Sequence, residues 1–535
     1  MSISGYNIRN TIALGRSKIS LPTKSFVYLP EPYTIGSYER GVQLKNGLFL
    51  FMGHLIESPN TSIWDINVPS AIYEDELHGF AWLDDLAAEG SKFTRDLARQ
   101  WLWEWIDRYG NGNNWKPQLT GRRVVRFINH SQMLLSKATT KQKKIFFKLL
   151  GQQTNFLFSG YKSETSNLNR LEALAGLIYC SAILKGKKFF LKSALRKIAR
   201  EASRCVDANG NIRTRNPEEL FSILMMLSWS NSAAIKANKF VLKKHKKIME
   251  VLAVDIRSLR LGNGCLVHFH GGGRGDVGCI DQILSSIKLP NIKIKTNTMD
   301  YYRVVKNKTV LILDGGEQLM NSNSSFSALS FELSSGFEEL IVNIGPGNIF
   351  GDEWLDFSQK LYAHSGVCVA SSSPGNKRTK IVPVVEHSND LNNDIIVSSH
   401  DGYNDTHGVI HHRKIKMSSN GNLVSGLDTI KSESINQRKV FDNWIKSKNE
   451  KFIPFSAQFH IAPNIEINLS DDNKKVTLKT LRGVIWTFEA LNGEISIQDS
   501  AFMQFGELNP RAAKQIVVTS AAIDYEGAIE WTLSK

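Results

Sequence analysis

The stretch Ser324–Pro346, SSFSALSFELSSGFEELIVNIGP, reads as two strands joined by a tight turn. Apolar residues alternate through Ala328-Leu329-Ser330-Phe331-Glu332-Leu333 and again through Leu340-Ile341-Val342-Asn343-Ile344. That two-residue period is what a strand with one buried face shows, and Gly336 stands between the runs at a turn position. Outward from it the pattern repeats: fourteen such segments run from YYRVVKN at Tyr301 to KQIVVTSAAI at Lys514. Polar turns such as SSNGNL, SDDNKK and LNGE separate several of them. So many alternating strands predict a large antiparallel sandwich over 301–535.

Before that point the period is helical. From about Ile72 to Ile256 some eight apolar-periodic segments follow one another with short connectors and no coiled-coil heptad. YEDELHGFAWLDDLAAEG puts Leu77, Phe80, Ala81, Leu83 and Leu86 near one face, with acidic residues in its first turn. The next helix has Ser91 as N-cap and Gly110 as stop. The lengths suit helical hairpins packed as a bundle or toroid over 71–260. Residues 1–70 read as an extension of short elements, and 261–300 as a glycine-rich junction.

At 535 residues the chain is too long for one core. No run approaches a membrane-spanning length of uncharged apolar residues. The N-terminus lacks the apolar stretch of a conventional signal peptide, which by sequence favours the cytoplasm. Five cysteines without CxxC spacing argue against a disulfide framework and a thiolate zinc site. The charge is lopsided. Residues 1–250 hold 37 Lys/Arg against 20 Asp/Glu, and 251–535 hold 29 against 31. The basic half would concentrate a polyanion around itself, or simply present solvated helix faces.

Several residue sets invite chemistry. His270-Gly271-Gly272-Gly273-Arg274-Gly275 lacks the GKS/T and the strand–loop–helix frame of a phosphate loop, so it reads as a turn. The paired carboxylates Asp84-Asp85, Glu218-Glu219 and Asp471-Asp472 are adjacent in sequence and do not face each other. On the strand GVIHHRKIKM, His411 and Arg413 share one face and His412 and Lys414 the other. A His/Arg pair facing a cleft can bind and polarise a carboxylate. Arg122, Arg123 and Arg126, with His130 one turn on, offer a further anion site.

In order along the chain, FAWLDDLAAEG, WKPQLTGRRVVRFINHSQMLL, LNRLEALAGLIYCSAIL, DYYRVVKNKTVLILDGG, AHSGVCVASSS and HDGYNDTHGVIHHRKIKMSSNGNL resemble the heparinase II/III-like family of polysaccharide lyases. The resemblance covers roughly 70–520. It implies a multidomain α+β chain, an incomplete α/α toroid followed by a large antiparallel β-sandwich. It also implies β-elimination on a uronic-acid glycan. A cation or amide neutralises the uronate, a tyrosine or histidine takes the C5 proton, and an acid protonates the leaving oxygen. No cofactor is required.

The family's Asn-His pair falls on Leu168-Asn169, with Arg170 next, and its catalytic tyrosine on Glu219-Leu220. The zinc ligands of some members fall on Ser325, Asn343 and His364, where one histidine cannot hold the ion, so no metal is expected. The remaining catalytic candidates are His364, Tyr403, His411 and Arg170, with Tyr362 as a further possible base. The substrate-binding candidates are Asn169, Arg122, Arg126 and Arg413. The expected partner is an acidic polysaccharide, and the resemblance points to the periplasm or the exterior. A non-catalytic glycan binder is the alternative. LKGKKFFLK and LKKHKKIM raise nucleic acid as a third partner, but RRM, KH and zinc-finger patterns are missing.

Overall fold

The computed structural model describes every residue except 1–2, 20–22, 33, 35, 290–292, 319–324, 374–380 and 390–392; the side chains of 3–7 are also outside the description. Ser324 of the opening stretch, and Thr379 and Lys380 of the TKIVPVV segment, thus lie outside the described residues. The chain divides into two compact units. The first comprises Met1–Arg213, Phe221–Ala253 and Gly278–Pro290, and the second Thr214–Leu220, Val254–Val277 and Asn291–Lys535. The glycine-rich junction is therefore shared out: Val254–Val277 packs with the second unit and Gly278–Pro290 with the first. The N-terminal extension belongs to the first unit and supplies two helices, Ile3–Lys18 and Tyr38–Lys45, and the hairpin Leu48–Phe51/His54–Glu57.

The first unit is helical for the reasons its sequence gives. Ser70, Ser91 and Ser166 accept backbone N–H groups at helix starts, and Thr139 closes a capping box with Gln142. Gly90 ends the helix Trp82–Glu89 in a left-handed conformation at φ 65°. Trp82, Trp101, Trp105, Phe80 and Phe127 are buried together, with Phe80 and Phe127 edge-to-face at 4.7 Å. Helices Pro117–Asn129 and Asn167–Ile183 cross at two glycines. A methyl group on Gly176 would lie 2.5 Å from the Gly121 Cα, and one on Gly121 would lie 2.6 Å from the Glu172 carbonyl oxygen. Two backbones meet where any side chain would force them apart.

The second unit holds two antiparallel sheets. Among the described residues one runs in the order Glu466–Leu469, Lys475–Lys479, Ile485–Ala490, Glu526–Ser534, Leu423–Lys431, Ile410–Ser418, Asn393–His400 and Val384–Asn389. The other runs Glu494–Phe502, Arg511–Ala522, Ile453–Ile461, Glu338–Val342, Phe331–Ser335, Thr309–Asp314, Tyr301–Lys306 and Asn297–Thr298. Val367–Val369 pairs with Ile453–Ile461 off that path. Trp531 anchors the shared core, stacked on Phe331 and Phe488 and edge-on to Phe459 at 5.0 Å.

The opening hairpin forms as Phe331–Ser335 and Glu338–Val342, with Gly336 at φ 61° in the turn and a bulge between Leu333 and Ser334. Its first strand starts later than the alternation predicts. Ala328-Leu329-Ser330 is a turn, with Leu329 at φ 57°, because the Leu329 N–H and Ser330 carbonyl pair with the backbone of Asp314. Among the described residues, the elements that escape the periodicity reading include strands Leu423–Lys431 and Glu526–Ser534 and helices Ile3–Lys18, Val277–Ser286 and Ile435–Lys448. Gly426 interrupts the first strand's β signal. It is there because a Cβ would sit 2.1 Å from the Trp531 ring.

Gly176→Ala is expected to destabilise the helical unit by about 1–3 kcal/mol through overpacking. Gly15→Ala, in a helix with open space around it, should leave stability unchanged or raise it by up to about 1 kcal/mol. Thermal midpoints of the two variants check both signs.

Candidate functional site

In the first unit, helices Pro117–Asn129, Asn167–Ile183 and Pro217–Lys236 enclose a cavity of ≈ 170 Å³ lined in part by Gln118, Arg122, Arg126, Glu172, Ser222 and Trp229. It is smaller than the usual 300–1,000 Å³ of a ligand pocket, with room for roughly one small ring or about five waters. The Gly121–Gly176 contact forms part of its wall. Arg122 donates through Nε to Glu172 Oε1 at 2.7 Å and through Nη1 to Glu76 Oε1 at 2.7 Å. Arg126 donates through Nε to Asp84 Oδ2 at 3.1 Å. Asp84 also accepts from the Thr34 hydroxyl at 2.8 Å and lies 2.7 Å from His130 Nε2.

Electrostatics follow from these pairs. Burial opposes the Arg122 charge, but Glu172 and Glu76 outweigh it and hold its pKa above the ordinary value. Burial likewise opposes the Asp84 charge, and Arg126, His130 and Thr34 outweigh it, keeping its pKa low. Two guanidinium groups thus meet three carboxylates inside the fold. Arg122 and Arg126 are not open anion sites as the sequence suggested, because an incoming sulfate or uronate would have to displace Glu172, Glu76 or Asp84. Arg123 points elsewhere: it is fully buried, donates to the His78 carbonyl at 2.7 Å and stacks 4.3 Å from the Trp105 ring centroid.

Leu168 reaches the cavity, but Asn169 and Arg170 are not part of its lining. Asn169 donates to Glu164 Oε2 at 3.4 Å, and Arg170 donates to the Glu164 carbonyl at 2.8 Å with Glu201 Oε2 3.8 Å away. Both tie down a helix N-terminus already capped by Ser166.

In the second unit the strand geometry comes out as expected and the environment does not. His411 and Arg413 do share a face of Ile410–Ser418, but that face is the sandwich core. Arg413 grips Asp428 with Nε at 2.6 Å and Nη2 at 3.1 Å, and donates to the carbonyls of Leu329 and Ser365. His411 lies 3.0 Å from Asp428 and 3.2 Å from His400. Trp531 Nε1 donates to the same carboxylate at 3.1 Å. Tyr403 is fully buried and donates to the Val367 carbonyl at 2.7 Å; burial drives its pKa well up. Rings link Tyr403, His400 and His411 into one chain at 5.7 and 5.1 Å. The structure therefore brings Tyr403, His411 and Arg413 together, but as an enclosed hydrogen-bonded core with no face for a glycan.

His364 is also buried. Its Nε2 pairs with the Ser358 carbonyl at 3.1 Å, and burial, reinforced by His460, pushes its pKa down to about 3. Tyr362 is half-buried against the same region, its ring 5.1 Å from Phe357. Asn343 is locked by its amide to the His268 carbonyl and the Ser365 N–H, and Ser325 is buried. Among the described residues no group of three or more His, Cys, Asp or Glu side chains is placed to hold a metal ion.

Sequence reasoning missed a second buried network in this unit. Arg215 pairs with Asp314, and His270 Nε2 lies 3.2 Å from Asp314 and 3.1 Å from Arg215. Tyr301 donates to the Arg215 carbonyl at 2.8 Å, and Ser327 to Asp314 at 2.6 Å. Arg215 and His270 both have left-handed backbones, at φ 52° and 51°. The HGGGRG stretch read as a free turn is clamped, since Asn216 donates to the His270 carbonyl and the Gly273 N–H to Glu218. Glu219, at the family's tyrosine position, has its pKa raised by burial. Glycine density beside a histidine was the one available signal.

The buried histidines make acid stability testable. His364 is held down to about 3, and His407 and His460 to about 4, each first by burial. Unfolded, each titrates near 6.5, so their stabilisation is complete above that pH and lost as pH falls toward the folded values. Each group should cost about 1.4 kcal/mol per pH unit in that window. The thermal midpoint of the sandwich unit should drop between pH 6.5 and 4.5, and His460→Asn should flatten the slope.

Residues 292–532 match the family model Heparinase II/III-like, C-terminal. FtsZ-localized protein C of Caulobacter vibrioides is 23% identical over 494 residues, covering 88% of this chain and 83% of that protein. Among solved structures, heparinase III superposes with a TM-score of 0.68 at 12% identity, over 99% of this chain and 89% of that one. Heparan sulfate lyase HepC from Pedobacter heparinus gives 0.58 at 12% identity, over 99% and 88%. Residues 292–532 are thus matched by the Heparinase II/III-like, C-terminal model, and the helix-rich first part followed by two antiparallel sheets has the fold of heparinase III.

Proposed function

We propose that this chain binds a glycan and does not cleave it. One observation carries the reading. The groups that elimination would need are already spent inside the fold: Tyr403, His411 and Arg413 in the sandwich core, and Arg122 and Arg126 on internal carboxylates. A lyase needs a cation free to neutralise a uronate and a base able to reach its C5 proton. Neither is offered by these candidate residues.

The helical unit still supports sugar recognition. Its cavity combines the Trp229 indole, two methionines and the polar ends of Gln118 and Ser222, with charges balanced by ion pairs. Such a lining suits one sugar ring held by hydrogen bonds and apolar contact. The lysine-rich first half adds long-range attraction for a polyanionic chain.

Heparan sulfate and an oligomer of N-acetylglucosamine serve as acidic and neutral probes. Binding by calorimetry, with no rise in the ultraviolet absorbance of an unsaturated uronate, is the expected result. Time-dependent absorbance with heparan sulfate would overturn it. Ser222→Phe, which places a ring in the cavity, should weaken binding at least about tenfold.

A second reading concerns place rather than chemistry. The relative in Caulobacter is named for its localisation with FtsZ, which favours a role at the division site. A fluorescent fusion should then concentrate where FtsZ does, and a diffuse distribution would remove this reading.

A further inference from the structure

Three segments meet along one edge of the helical unit. Ser25–Tyr28 lies against the end of helix Asn167–Ile183: the Val27 N–H donates to the Ile183 carbonyl at 2.7 Å, and the Lys185 N–H to the Ser25 carbonyl at 3.1 Å. The turn Lys188–Phe190 follows directly. Helix Pro217–Lys236 arrives at the same place, with Lys236 Nζ 5.6 Å from the Tyr28 ring centroid. That helix stops at Asn238, left-handed at φ 53°, where the Lys239 N–H reaches back to the Ala234 carbonyl. Helix Lys243–Ser258 then returns beside it, pinned by His245 Nε2 3.0 Å from the Leu227 carbonyl. Phe240 is left at the tip of a helical hairpin.

The chemistry of this edge is unusual for a soluble surface. Phe240 is 85% exposed, Phe189 68%, Val27 66% and Ile235 57%. Isolated apolar residues at a surface need no explanation, but a clustered set does. Around them, segments 24–29, 185–192 and 236–247 carry ten exposed lysines and not one Asp or Glu. Apolar tips within an unbroken cationic rim match a single environment, an anionic headgroup layer over hydrocarbon.

We propose that this edge docks the protein on the surface of an anionic phospholipid bilayer, with Phe189 and Phe240 entering the headgroup–acyl boundary and the lysines engaging lipid phosphates. The binding is peripheral, since among the described residues no helix is long and apolar enough to cross a membrane. Nucleic acid fits less well, because Val27 and Ile235 have no ring to stack on bases. A second copy fits less well too, because it would set lysine rim against lysine rim. This surface is separate from the helical cavity, so the docking stands or falls independently of glycan binding.

The test is co-sedimentation of the full chain with vesicles of phosphatidylcholine alone and of phosphatidylcholine with phosphatidylglycerol, at low and raised salt. Binding should require phosphatidylglycerol and weaken with salt. Phe189→Ser with Phe240→Ser should weaken it about tenfold, and Lys188→Glu with Lys239→Glu by more, with unchanged thermal midpoints because all four side chains are exposed. No sedimentation with either vesicle overturns the proposal, as does equal sedimentation with both. Wild-type binding by the serine variant also overturns it, since the lysines would then form a plain polyanion site. So does tighter binding to a short single-stranded DNA than to the vesicles, or to an acidic protein through the same residues.

Discussion

The sandwich is organised around one carboxylate. Asp428 sits with no solvent exposure at the centre of the unit and receives Arg413 in two hydrogen bonds, His411 in a third and the Trp531 indole in a fourth. Burial alone would raise its pKa; Arg413 and His411 reverse that and hold it well below the carboxylate range. Arg413 then spans outward to the carbonyls of Leu329 and Ser365, in the segments around the facing sheet. A pair this deeply placed adds little net stability over an apolar core. Leaving either charge alone would cost about 3–5 kcal/mol, and the observed register sets the two residues directly opposite each other.

The same economy recurs elsewhere in the molecule. Arg215 with Asp314 and His270, His268 with Glu332, and Arg126 with Asp84 and His130 each enclose a charge with its counter-charge. In each, an arginine or histidine that sequence alone leaves open is tied to a carboxylate of the same chain. The fold is that of heparinase III, and these buried polar side chains hold it together. The cavity of the helical unit, outside the matched range 292–532, is lined by the same kind of paired charges.

Much of the fold was legible from residues. Ser91 as a cap, Gly336 as a turn and the shared strand face of His411 and Arg413 all follow from local rules, and all three are found. Leu423–Lys431 was hidden because Gly426 depresses strand propensity, and only the Trp531 ring packed over it explains the glycine. The start of the opening strand was misplaced because the Asp314 backbone bends Leu329 into a left-handed turn, a contact across fifteen residues. The candidate site was less legible still. Whether Tyr403 faces solvent or the Val367 carbonyl is a question about packing, which no periodicity encodes.

By itself the sequence determined the order of the parts, helices first and strands after, because hydrophobic period is a local property of the chain. It also determined the charge asymmetry, which is mere composition. Only the tertiary structure decided which charges remain open. A guanidinium reads the same in sequence whether it meets a sugar acid or Asp428, and burial with a partner is set by residues far away along the chain.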